Sequence, residues 1–163
     1  MILGMSVSAF TNLHVIISLI GIATGWVVAY GMLKSNTLDR WTALFLATTV
    51  LTSVTGFFFP RDKILPSHIV GALSLVVLAI AILAFYRYRL QGAWRWIYVV
   101  TAMIALYLNV FVLVAQAFLK IGPLKALAPT GSEPPFVVVQ GLVLIAYIVW
   151  GYMAVRAFRP AVR

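Results

Sequence analysis

Five apolar runs, each long enough to cross a lipid bilayer as a helix, take up most of this chain of 163 residues. Such a crossing needs about 20 mostly apolar residues. The connectors between the runs are short and polar, and no repeat interrupts them. The sequence therefore predicts an all-α polytopic membrane protein, a single five-transmembrane-helix bundle over residues 1–163, with helices at about 10–33, 41–59, 66–86, 94–119 and 135–158.

Composition excludes a water-soluble fold. Hydrophobic residues make up 64% of the chain and charged residues only 9%, and the mean hydropathy is +1.08. A soluble domain carries about a quarter charged residues. The net charge of +9 would suggest a nucleic-acid partner in a soluble protein, but here the basic residues lie at the ends of apolar runs, so no nucleic acid is expected. The chain has no cysteine, which excludes disulfides, thiol-attached haem and Cys-ligated metals.

The basic residues also predict an orientation. We call side A the membrane side of the N-terminus and side B the opposite side. Four of the 12 Lys and Arg residues fall on side A, namely Arg61, Lys63, Lys120 and Lys125, and the other eight fall on side B. Cytoplasmic loops are enriched in Lys and Arg. We therefore expect the N-terminus outside and the C-terminus inside, in a bacterial inner membrane.

The chain offers no residues for several familiar membrane chemistries. All three acids and all four lysines lie in connectors or at helix ends. A carboxylate proton relay needs acids within the membrane, and a retinal Schiff base needs a lysine in mid-helix. No P-loop, H-E-x-x-H or nucleophile-elbow motif is present. The sequence does not decide whether the protein is an enzyme.

Five polar side chains lie inside the apolar runs, and all but Asn109 are candidate site residues; the five are His14, His68, Asn109, Gln116 and Gln140. A helix rises about 1.5 Å per residue. By that rise, all of them except Asn109 fall in one layer near side A. Any site is therefore expected at the periplasmic face, with Gln116 and Gln140 beside the two histidines and Asn109 as an interhelical hydrogen bond.

The leading hypothesis is that His14 and His68 ligate one haem b as a bis-imidazole pair, within a small haem-binding or redox-associated membrane protein. Arg61 and Lys63 precede His68 and would pair with the propionates. Gly21 and Gly25 share a helix face with His14, and such small residues either make room for a flat cofactor or let helices pack closely.

The alternative hypothesis is a non-redox binding or transport module, or an accessory subunit, for a small hydrophobic ligand, a quinone or a metal ion. Purely structural histidines are the third possibility, because intramembrane histidines also hydrogen-bond across helices. The expected partners are the lipid bilayer, a quinone or a redox partner. A channel or transporter would need a homo-oligomer or a larger membrane complex, because one small bundle has little room for a pore.

Four segments, 13–21, 53–60, 65–71 and 128–135, resemble a group of small proteobacterial five-helix inner-membrane proteins. The resemblance covers most of the chain and agrees with the predicted location. That group has no assigned activity, so the resemblance implies nothing about function.

Overall fold

Six α-helices make up the structure, a computed structural model that describes residues 1–161. Arg163, one of the basic residues assigned to side B, lies outside the described residues. The helices are α1 (Val7–Leu33), α2 (Asp39–Gly56), α3 (Pro66–Ile82), α4 (Trp94–Lys120), α5 (Gly122–Leu127) and α6 (Pro134–Ala157). A π-helical turn, Leu83–Arg87, extends α3.

Four helices are long and apolar enough to cross a membrane: α1, α3 with its π-helical turn, α4 and α6. This is consistent with a multi-pass membrane protein. The fifth predicted span, 41–59, is helical as α2 but is not one of these four. Asp39 and Arg40 occupy its first turn, and six Ser and Thr residues lower its hydropathy. That α2 also crosses the membrane therefore stays a prediction.

The hydroxyl groups of α2 are compatible with apolar surroundings because they bond to their own helix. Thr48 donates to Leu44 O at 2.7 Å, and Thr49 donates to Phe45 O at 2.7 Å. Such bonds back to the preceding turn satisfy the hydroxyl donor without a partner from another helix. Their oxygens can still accept a second hydrogen bond.

The first four helices form the bundle, and α6 packs on its outside against α4 and α1. The buried core lies toward side B, where Leu78, Phe85, Val99 and Leu106 are almost fully buried. Only Gln140 and Ala154 of α6 are buried. One end of the bundle is thus solidly packed, and the space described below lies at the other end.

Gly21 and Gly25 are contact points at which α1 meets α2 and α4. A Cβ atom at Gly25 would lie 2.5 Å from Leu106 Cδ1 and 2.9 Å from Phe45 Cε1. One at Gly21 would lie 3.2 Å from Thr49 Oγ1. The glycine pair therefore serves close helix packing, the second of its two predicted roles, and leaves no room for a flat cofactor there.

One connector and one basic side chain differ from their sequence interpretation. The connector between the fourth and fifth apolar runs contains a short helix, α5, which starts at Gly122-Pro123 because proline is tolerated in the first turn of a helix. Arg95, expected only as a charge on side B, donates from Nη1 to Val155 O at 2.9 Å and to Phe158 O at 2.7 Å. It thus satisfies carbonyls at the end of α6 that the helix itself leaves unpaired.

Candidate functional site

A cavity of about 570 Å³ lies between α1, α2, α3 and α4 at the end of the bundle on side A. Its volume is within the range of about 300–1,000 Å³ that is typical of sites for small molecules. The lining residues nearest the ends of the helices on side A form its mouth, and the buried polar residues at the opposite end form its floor. Mouth residues are Arg61, Ser67, Gln116, Lys120 and Ile121.

The floor is polar and lies beside the Gly21 contact. Thr49 and Ser74 are buried there, and Ser53 Oγ lies 3.1 Å from Ser74 Oγ. Asn109 also lines the cavity, and its buried Nδ2 has no hydrogen-bond partner within residues 1–161. An unpaired buried donor costs free energy.

The wall between floor and mouth is mostly apolar. It is formed by aliphatic side chains from three helices: Val15, Leu19, Val70, Leu108, Val112 and Leu113. No Asp or Glu lines the cavity among the described residues. A few polar groups set in an apolar lining are typical of sites that bind organic ligands.

His14 lies on the wall, and its hydrogen bond determines which ring nitrogen carries the proton. His14 Nδ1 is 2.7 Å from Thr55 Oγ1. The Thr55 hydroxyl donates its only hydrogen to Leu51 O at 2.7 Å. This bond back to the helix favours Thr55 as the acceptor and His14 Nδ1–H as the donor. In the neutral ring, Nε2 then keeps its lone pair and can accept a hydrogen bond or ligate a metal.

His68 has the opposite arrangement. It lies in the first turn of α3, and the Leu65 backbone N–H donates to His68 Nδ1 at 3.0 Å. Nδ1 is therefore the unprotonated nitrogen, and the neutral ring carries its proton on Nε2. The ring also lies against Phe57, with centroids 5.6 Å apart. The two histidines thus line one cavity, where one offers an acceptor and the other a donor.

These hydrogen bonds bear on the predicted bis-imidazole site. A histidine that ligates a metal through one nitrogen almost always donates its other N–H to a neighbouring group. His14 has this pattern, whereas His68 Nδ1 accepts instead. No group of three or more metal-ligating side chains occurs within residues 1–161. The haem and metal hypotheses stay predictions, and the proton on His68 Nε2 does not match the usual pattern of a metal ligand.

The mouth carries two basic side chains, one from the connector before α3 and one from the end of α4. Arg61, in the connector before α3, donates from Nη1 to Ser67 Oγ at 3.2 Å. Lys120 is the last residue of α4. Lys63, which was paired with Arg61 in the haem hypothesis, is exposed and does not line the cavity.

Of the four predicted site residues, His14, His68 and Gln116 line the cavity, and Gln140 does not. Gln140 lies on α6, where its Nε2 donates to Phe111 O at 3.0 Å. Its depth in the membrane matches the histidines, but α6 packs outside the bundle. Asn109, expected to lie apart from the site, forms part of the floor instead.

Sequence reasoning missed Thr55 and Lys120. The signal for Thr55 is the hydroxyl-rich stretch of α2, of which Thr49 and Ser53 line the cavity. The signal for Lys120 was its position at the end of an apolar run on the same side as the histidines.

No protein-family model, curated protein or solved structure matches the chain.

Proposed function

We propose that this protein is a membrane-embedded binding module that holds one small amphipathic organic ligand, such as a quinone or lipid-like molecule, between its first four helices. The observation that carries the proposal is the cavity of about 570 Å³ that both histidines line. His68 supplies a donor for a carbonyl oxygen such as that of a quinone, and neutral His14 supplies an acceptor for a hydroxyl group.

The proposed topology follows the charge distribution. Five membrane crossings, an outside N-terminus and an inner-membrane location would put the cavity mouth at the periplasmic face. In this topology α2 is the fifth helix that crosses the membrane, and its hydroxyl groups bond to its own backbone. The ligand would then enter from the outer leaflet or from the periplasm.

The test is a thermal-shift screen of the purified protein in lipid nanodiscs, with ubiquinone, menaquinone, phospholipids, haem and divalent metal ions as probes. A ligand that binds only the folded state stabilises it by RT ln(1 + [L]/Kd), about 2.7 kcal/mol at one hundred times Kd. We expect an organic amphiphile to raise the melting temperature, and H14A and H68A to abolish the shift.

Q140L is the matched control because Gln140 is a buried amide outside the cavity. It should lower stability without changing the ligand-induced shift. A screen in which no organic probe stabilises the protein would contradict the proposal. A Soret band after haem addition that is lost in both H14A and H68A would establish the bis-imidazole hypothesis in its place.

A further inference from the structure

We infer that the cavity selects amphiphiles with an acidic head group, a carboxylate or a phosphate, which Arg61 and Lys120 hold at the mouth. This inference rests on the proposed function and names its ligand class. Both cations line the cavity, and no carboxylate of the described chain lines it with them. The lining therefore carries positive charge that a bound anion would neutralise.

The polar groups of the mouth are arranged for an anion. The guanidinium of Arg61 is oriented by Ser67, which it reaches at 3.2 Å. His68 adds a donor, because its Nδ1 is occupied by the Leu65 N–H and its proton is on Nε2. Hydrogen bonds from charged donors to a carboxylate or phosphate are about twice as strong as neutral ones.

The membrane makes the head group the decisive part of such a ligand. Lipid tails are as apolar as the side chains of the cavity wall, so moving an alkyl chain from the bilayer into the cavity gains little. The aliphatic wall therefore accepts a tail without choosing between tails. Discrimination has to come from the polar ends, where Arg61, His68 and Lys120 lie.

The spacing of these groups fits a ligand with one charged end. Asn109 and Lys120 both line the cavity and are eleven residues apart on α4, which is about 16 Å at the helical rise. The charged side chains are at the exposed end of this distance and the neutral polar ones at the buried end. A head group at the mouth would leave the tail along the aliphatic wall.

The experiment compares four probes of equal chain length with the full-length protein in phosphatidylcholine nanodiscs: hexadecanoic acid, hexadecyl phosphate, hexadecanol and methyl hexadecanoate. Affinity is measured by thermal shift and by native mass spectrometry. We expect the two acids to bind at least tenfold more tightly than the two neutral probes. R61Q and K120Q should each reduce acid binding about tenfold and leave neutral probes unaffected.

K63Q and K125Q are the matched controls. Lys63 lies in the same connector as Arg61, Lys125 lies in α5 just beyond Lys120, and neither lines the cavity. If these controls weaken acid binding as much as R61Q and K120Q, general surface charge explains it and the inference is wrong. Equal binding of acids and neutral probes would overturn the inference but leave the proposed function standing. Binding of none of the probes, together with a flat quinone screen, would overturn both.

A second arm distinguishes two sources of the same chemistry. In this arm, phosphatidylglycerol replaces part of the phosphatidylcholine. If it competes with hexadecanoic acid, the binding of the acid becomes weaker in wild type but not in K120Q. That result identifies a bilayer lipid as the occupant. Unchanged acid binding identifies a free acidic amphiphile. Either result supports acidic head-group selection.

Discussion

Replacing Thr55 by valine tests the hydrogen bond that orients His14. The change keeps the shape of the side chain but removes the only hydrogen-bond partner of His14 Nδ1 that the structure shows. Leaving a buried donor unpaired costs about 1–3 kcal/mol. Because His14 is only partly buried, we expect a value near the lower end, about 1 kcal/mol of unfolding free energy beyond the loss of the threonine's own backbone bond.

Thr101→Val supplies the matched control. Thr101 is a buried hydroxyl whose bonds, 2.7 Å to Ile97 O and 3.2 Å to Tyr98 O, stay within its own helix. Both variants lose a bond of this kind, so the difference between them isolates the link to His14. The free energy of unfolding is measured by denaturant titration in mixed micelles.

The tautomer is measured in the same samples by ¹⁵N NMR of histidine-labelled protein. Wild type is expected to show the proton of His14 on Nδ1 and that of His68 on Nε2. In T55V the His14 ring should redistribute its proton or reorient, and ligand affinity should fall by up to about tenfold, which is 1.4 kcal/mol. If T55V is as stable as T101V and its His14 proton stays on Nδ1, the reasoning is refuted.

Three further predictions concern the site, the packing and the loop before α6. His14→Ala and His68→Ala should each weaken ligand binding at least tenfold; a calorimetric Kd that stays unchanged in either variant would contradict a shared site. Gly25→Ala should destabilise the bundle by about 1–3 kcal/mol through overpacking, whereas Gly141→Ala, which meets nothing within 4 Å, should not; equal unfolding midpoints would refute the packing argument. Hydrogen bonds from Thr130 hold the Glu133 pKa at about 2, below its ordinary value. The stability that these bonds give the folded protein should therefore be complete above about pH 4.5 and disappear as the pH falls toward 2. If the melting temperature of E133Q keeps this acid dependence, the assignment to Glu133 is wrong.

Much of the helical framework could be predicted from the sequence, because hydropathy along a chain directly reflects membrane depth. The predicted start of α3 at residue 66 and of α4 at residue 94 agree with the structure. The depth of His14 and His68 was sufficient to bring them into one cavity. These features depend on distance along a helix, which the sequence determines through the rise per residue.

The arrangement of helices around the site could not be predicted in the same way. Gln140 has the right depth but lies on a helix outside the bundle, and Asn109 was set aside as too deep but reaches the cavity floor. A helix of uniform hydrophobicity does not reveal which of its faces meets a neighbour. Whether Nδ1 of each histidine donates or accepts likewise depends on its partner, Thr55 for His14 and Leu65 for His68, and the fold determines where these partners lie.

All residues that line the cavity lie between Thr11 and Ile121, and none belongs to α6. Since a chain is made from its N-terminus, every residue that lines the cavity is synthesised before α6 begins. The segment that precedes α6 therefore supplies the whole lining. Helix α6 would then be the last helix to pack onto the bundle, where Arg95 donates hydrogen bonds to the carbonyls of Val155 and Phe158.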